Sequence, residues 1–237
     1  MSKNLAIKLR SGTQHSHAAT ENIGFMKCFV KGVVDRTCFA KFLSNLYFVY
    51  SELEAALENH KNHPCIRAIY FPELNRKANL EKDLEFYYGE DWQNQITASH
   101  AAQNYISRIG EVSASYPELL IGHAYTRYMG DLSGGQMLQK VVQSALKLSG
   151  YQGTSFYDFE QIPDKTSFKN KYRQALDKVP VDDKTADKIV AEANKSFHFN
   201  MQMAKELEEI LIKSIGEVMF HKLINSHNSD STKVATN

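Results

Sequence analysis

Cysteine and proline are scarce in this chain and net charge is nearly absent, and each scarcity closes off a class of function. The three cysteines in 237 residues, Cys28, Cys38 and Cys65, are odd in number and never spaced Cys-x-x-Cys. They make neither a disulfide framework nor a zinc site, and they read as buried free thiols of a reducing compartment. A net charge of +1 leaves no global field to draw nucleic acid or a membrane surface. No apolar run reaches the length of a membrane span, and the opening Ser2, Lys3 and Asn4 lack the apolar stretch of a secretory signal. A cytoplasmic protein without a membrane anchor is expected. Strand-like alternation and internal repeats are also missing. What is present, 43% hydrophobic and 23% charged residues, suffices for one soluble core.

The apolar residues recur at helical spacing almost throughout. One helix is expected from Asn4, as N-cap, to about His17, and another from Phe25 to Lys31. The next, Thr37 to Asn59, carries Phe39, Phe42, Leu43, Leu46, Tyr47, Tyr50, Leu53 and Leu57 as a core stripe. His63-Pro64 closes it. Further helices are predicted from Leu74 to Tyr88 with Gly89 as C-cap, from Thr97 to Ala114, and from Pro117 in a first turn through to Gly150. A loop spans Gly150–Pro163. Two more helices follow, Lys165–Lys178 and Lys184–Leu223, the last bent or broken near Phe197–Asn200. The fold class is all-α, one multi-helix domain over residues 1–225, with a polar, disordered tail over 226–237.

The stretch Tyr125–Gln136 stands out within this pattern because three of its residues, Gly130, Gly134 and Gly135, should each weaken a helix by roughly 1 kcal/mol relative to alanine. Thr126, Gly130 and Gly134 fall at i, i+4 and i+8, a helix face almost without side chains. Arg127 and Asp131 form an adjoining i,i+4 pair that puts a carboxylate at its rim. Two readings are open: a kink or close helix packing, or a platform for a flat ligand. No Lys-Ser/Thr follows the glycines, which excludes a P-loop, and the charged pair excludes a membrane-helix dimer motif.

Two other pairs have ligand spacing. His17 and Glu21 are i,i+4, so a carboxylate can steady Nδ1 while Nε2 faces a metal; an ordinary surface histidine is the plain alternative. Lys169 and Arg173 are like charges one turn apart, which repel unless an anion lies between them or water solvates the face.

With these residues in hand, the sequence resembles the heme oxygenases. The likeness rests on His17–Asn22, Tyr70–Lys77, Tyr125–Gln136, Phe168–Arg173 and Glu192–Phe197, and it runs to about residue 223. It is similar to the soluble cyanobacterial or plastid type. The resemblance implies a heme-oxygenase-like bundle holding heme b between a proximal helix and the Gly-rich distal helix. It implies cleavage at the α-meso carbon to biliverdin IXα with release of CO and ferrous iron, using O2 and electrons from a ferredoxin-type donor. His17 becomes the proximal iron ligand and Glu21 its support. Gly130 and Gly134, with Thr126 and Gly135 of the same signature, become the distal heme contact. Asp131 becomes the organiser of proton-delivering waters, with Tyr50, Tyr105, Arg127 and Asn200 in the same network. Arg10, Tyr125, Lys169 and Arg173 become the propionate contacts, and Phe197 packs near the heme edge. Lys27, Lys31, Lys169, Lys171 and Lys178 would receive an acidic donor.

Three positions depart from the family pattern: Gln14 in place of a basic residue, Met129 in place of leucine, and Ala204 where animal members carry phenylalanine. A heme carrier or sensor and a thiamine-degrading enzyme of similar fold are the competing classes. Asp131 with Arg127 opposes the first, and the Tyr125–Gln136 signature opposes the second.

Overall fold

The computed structural model describes residues 4–226. Among them every regular element is helical: α1 (Leu5–Gly12), α2 (Gln14–Glu21), α3 (Gly24–Val30), α4 (Arg36–Asn59), α5 (Pro64–Arg67), α6 (Lys77–Tyr88), α7 (His100–Ser115), α8 (Leu120–Leu146), α9 (Lys165–Leu176), α10 (Asp183–Ile215) and α11 (Glu217–Asn225). The predicted tail from residue 227 onward lies outside the described residues.

Side chains that bond free N–H groups fix the starts of α4, α7, α9 and α10. Asp35 accepts from Cys38 N, Ser99 from Ala102 N, Asp164 from Thr166 N and Ser167 N, and Asp182 from Thr185 N. The expected cap Asn4 makes no side-chain bond. The α4 stripe is core as anticipated, with Phe39, Leu43, Leu46, Tyr50 and Leu53 essentially inaccessible. Burying each such leucine stabilises by about 1.5–3 kcal/mol.

Several helix limits differ from the sequence reading, each for a local reason. The first helix is split at Thr13 (φ −109°, ψ 0°), where the end of α1 is pressed on α10 so closely that a Cβ on Gly12 would stand 2.5 Å from Val190 Cγ1. α4 ends at Asn59, and His63-Pro64 instead opens the one-turn α5. Pro72–Leu74 is a separate 3-10 turn, so α6 starts at Lys77. α8 stops at Lys147, which takes the left-handed conformation (φ 54°), rather than at Gly150. α10 runs unbroken through Phe197–Asn200, and the expected interruption falls at Gly216, whose φ of 84° suits a residue without Cβ.

α10 is the spine. It packs on α1, α2 and α3 and also on α4, α7 and α8, while α2 is not among the helices that pack closely on α8. α8 is seated where Gly122 lets it touch α10 backbone to backbone: a Cβ there would meet Ala193 N at 2.8 Å and Ile189 O at 2.9 Å. One turn on, Thr126 Oγ1 donates to Gly122 O at 2.9 Å and lies 3.3 Å from Ala193 O. This anchoring carries α8 unbroken through its glycines.

Candidate active site

Beyond the anchor, α8 changes character. Nothing lies within 4 Å of where a Cβ on Gly130 or Gly134 would stand, so this face is bare backbone. Gly135 points elsewhere, its Cβ position facing Tyr157 at 3.2 Å, and Thr126 is spent on the contact with α10. The open face therefore consists of the two glycines, without Thr126 or Gly135.

At its rim the i,i+4 pair is closed into a network. Arg127 Nη2 donates to Asp131 Oδ1 at 3.4 Å, and Tyr50 on α4 donates its hydroxyl to Asp131 Oδ2. Arg127 Nε donates to the Tyr50 hydroxyl at 3.1 Å, with the guanidinium 5.2 Å above the tyrosine ring. Its Nη1 donates to Asn200 Oδ1 on α10 at 2.8 Å, and Asn200 Nδ2 donates back to Ser196 O at 2.9 Å. Tyr105 on α7 shares a hydroxyl bond with Ser196 Oγ. Tyr50, Tyr105, Arg127, Asp131 and Asn200, separate in the chain, thus form one set, joined by Ser196, which the sequence reading did not single out.

Burial pushes the Asp131 carboxyl up, and the Arg127 charge with the Tyr50 hydroxyl opposes that push. Burial alone would lower Arg127, but the groups around it, Asp131 among them, hold it charged. Burial raises Tyr50 well above its ordinary value and Tyr105 to about 12, so both phenols stay protonated and can donate. The result is a fixed guanidinium, two fixed hydroxyls and the Asp131 carboxyl, the last next to Gly130 in the chain.

His17 is different. Its imidazole is 58% exposed, its Nδ1 is 3.6 Å from Glu21 Oε1, and its ring meets Phe197 edge-on at 5.9 Å. That distance is an ion-pair contact rather than a hydrogen bond. Phe197 and Asn200 are three residues apart on α10, so His17 and Arg127 approach the same helix about one turn apart. Nearby, Tyr125 on α8 feels both Arg173 and Arg10, although burial is what raises its phenol most. Arg10 ends α1 exposed, and Lys169 and Arg173 are half-buried on α9. Arg173 Nη1 also donates to Asn170 Oδ1 at 2.9 Å. Of the five cations suggested for a donor surface, two are engaged. Lys31 donates to Leu223 O and Ser226, and Lys171 sits over Phe71 at 4.7 Å and near Glu73.

The structure thus joins a bare backbone stretch of α8 to a buried carboxylate network at its rim, with His17 reaching α10 about one turn from Asn200. Residues 3–206 match the family described as Heme oxygenase. The chain is 51% identical over 234 residues to Heme oxygenase 1 of Synechocystis sp. PCC 6803, covering 99% of this chain and 97% of that protein. It superposes on the crystal structure of Synechocystis heme oxygenase-2 in complex with heme and NO with a TM-score of 0.92 at 47% identity, covering 94% and 93% of the two chains. For heme oxygenase-1 of the same cyanobacterium in complex with heme, the TM-score is 0.88 at 52% identity, covering 93% and 99%. The chain belongs to the heme oxygenase family, enzymes that cleave heme to biliverdin.

Proposed function

We propose that this chain cleaves heme b at the α-meso carbon to biliverdin IXα, releasing CO and ferrous iron, with O2 as oxidant and electrons from a ferredoxin-type donor. The observation that carries the proposal is the closed network of Asp131, Arg127, Tyr50 and Asn200 at the rim of the Gly130–Gly134 face. Bound heme supplies the iron at which dioxygen is activated and is itself the molecule opened.

The residues present fit that group. His17 Nε2 would bind the iron, with Glu21 beside Nδ1 to orient the ring. The absence of side chains at Gly130 and Gly134 leaves room for a flat macrocycle against backbone. Arg10, Tyr125, Lys169 and Arg173 would hold its two carboxylates by charge-assisted hydrogen bonds, which fixes ring rotation and so the meso carbon attacked. Phe197 would line the edge. Asp131 would hold water, and through it a proton, at the distal side; its carboxyl need not touch oxygen if the water is fixed. Arg127 and Tyr50 fix the carboxyl, and Asn200 fixes Arg127.

No helix of the described residues is long and apolar enough to cross a membrane, and all three cysteines are buried free thiols, as suits a reducing compartment. The test is to supply hemin-loaded protein in air with reduced ferredoxin. Decay of the Soret band with growth of biliverdin absorbance and capture of CO by a globin is expected. A spectrum that only cycles between ferric and oxygenated forms would make the protein a heme carrier.

A further inference from the structure

The three helices that present Tyr105, Arg127 and Asn200 carry a second polar set, displaced along each helix. Arg108 is three residues after Tyr105 on α7. His123 is four before Arg127 on α8. Glu192 is four before Ser196 and eight before Asn200 on α10. These residues also meet. Glu192, 2% exposed, accepts a fork from Arg108, Nε at 2.7 Å and Nη2 at 2.8 Å, and a third bond from Lys195 Nζ at 3.2 Å. His123 Nε2 stands 3.2 Å from Glu192 Oε1 at an angle short of a hydrogen bond. Arg108 Nη1 continues to Glu111 at 3.0 Å. The His123 ring lies 5.5 Å from the Tyr105 ring, which stacks on Phe199 at 5.1 Å, so the two sets touch through Tyr105.

We propose that Glu192 is a positioning residue for the distal network: one buried carboxylate, forked to Arg108, fixes the register of α7 against α10, with His123 of α8 packed between it and the Tyr105 ring, and so aims Tyr105, Arg127 and Asn200 toward Asp131. The proposal rests on the heme-cleaving reading given above. Apolar packing alone tolerates small slides between helices, whereas a carboxylate in a two-bond guanidinium fork is directional. Glu192 is no proton source. Burial works against its charge, but the Arg108 fork with His123 and Lys195 holds the carboxyl well below the usual range, so it stays an anion. Burial keeps His123 below its ordinary value, and no bond leads from Glu192 to Asp131 except through the helices. Its effect on the reaction is therefore geometric.

Glu192→Gln keeps the shape and removes the charge. The heme-loaded variant is expected to lose about tenfold in kcat with KM for heme within about twofold, the pattern of a misplaced catalytic constellation. In the heme-free protein, the Arg127 Nε and Asn200 side-chain amide resonances should move, although neither residue touches Glu192. Should that variant fail to fold, Arg108→Lys, on a side chain 25% exposed, replaces the fork by a single bond. It should lower kcat more mildly, and Arg108→Gln should lower it further. A folded variant with unchanged kcat and unchanged resonances would overturn the proposal, as would a loss confined to heme binding. If the wild-type protein formed no biliverdin, the functional reading would fail, while the resonance shifts would still decide whether Glu192 sets the distal geometry.

Discussion

The two sides of the site are built in opposite ways. The proposed proximal side is one imidazole and one glutamate on the short helix α2, 58% and 68% accessible, with the imidazole edge-on to Phe197. The distal side draws polar groups from α4, α7, α8 and α10 into a network whose two tyrosines are inaccessible to solvent. A metal ligand needs only to reach its metal, which can orient it. A group that steers a proton must already be in place when charge develops, because reorganising it then costs rate. One side can be loose, and the other cannot.

The largest test of this contrast removes the loose side. His17→Ala should abolish biliverdin formation while leaving the heme-free fold and its Tm unchanged, because an exposed side chain contributes little packing. Added imidazole should restore part of the activity. Full activity without imidazole would mean that another group binds the iron. Next, Asp131→Ala should still bind heme through His17 but lose about 10²- to 10⁴-fold in biliverdin formation, the usual weight of a positioned proton donor. Normal product yield from that variant would remove Asp131 from the proton path.

The glycines of α8 sharpen the contrast because one helix holds both kinds. Gly130→Ala and Gly134→Ala meet open space, so each should stabilise the heme-free protein by about 0.5–1 kcal/mol, the helical cost of glycine. Each should also weaken heme binding, since the methyl group stands on the platform. Gly122→Ala meets the α10 backbone at 2.8 Å, which cannot yield cheaply, and should lower Tm by several degrees. Equal Tm shifts at all three positions would contradict the division of α8 into an anchored and a bare half.

How much was legible in the sequence follows the same line. His17 with Glu21 and Arg127 with Asp131 are i,i+4 pairs, and spacing on one helix shows such pairs directly. Nothing in the spacing joins Tyr50, Tyr105 and Asn200 to Asp131; only the family resemblance brought them forward, because their meeting depends on how four helices cross. Thr126 was misplaced on the open face for the same reason, since period alone cannot tell a face bared to a ligand from one pressed on a neighbour. Glu192, Ser196 and Asn200 do recur at intervals of four along α10. A polar run on the stripe of a helix otherwise buried by Ile189, Ala193 and Met203 is a readable sign of a buried network. The helix limits missed at Thr13 and Gly216 turn on local geometry: a close approach to α10 at one, a left-handed glycine at the other.

The smallest effect concerns a carboxyl outside the distal network, on the same helix as Tyr50. Glu54 lies one turn after Tyr50 on α4 and accepts from the backbone N–H groups of Arg76 and, at 3.2 Å, Lys77. Burial pushes its carboxyl up from 4.5 to about 7 despite those bonds. Between these values the unfolded chain gives up its proton before the folded one does, so this group lowers stability as pH rises from 4.5 through 7. Glu192 has the opposite sign: its carboxyl is lowered, so the stability it contributes is present above 4.5 and is lost as pH falls below that. Glu54→Gln keeps an oxygen for both N–H groups and removes the charge. Its Tm should match the wild type at pH 5 and exceed it at pH 8 by about 2–4 °C, as expected for roughly 1 kcal/mol in a chain of this length. A lower Tm at pH 8 would mean that the Arg76 guanidinium, buried among backbone carbonyls, gains more from the Glu54 charge than burial of that charge costs.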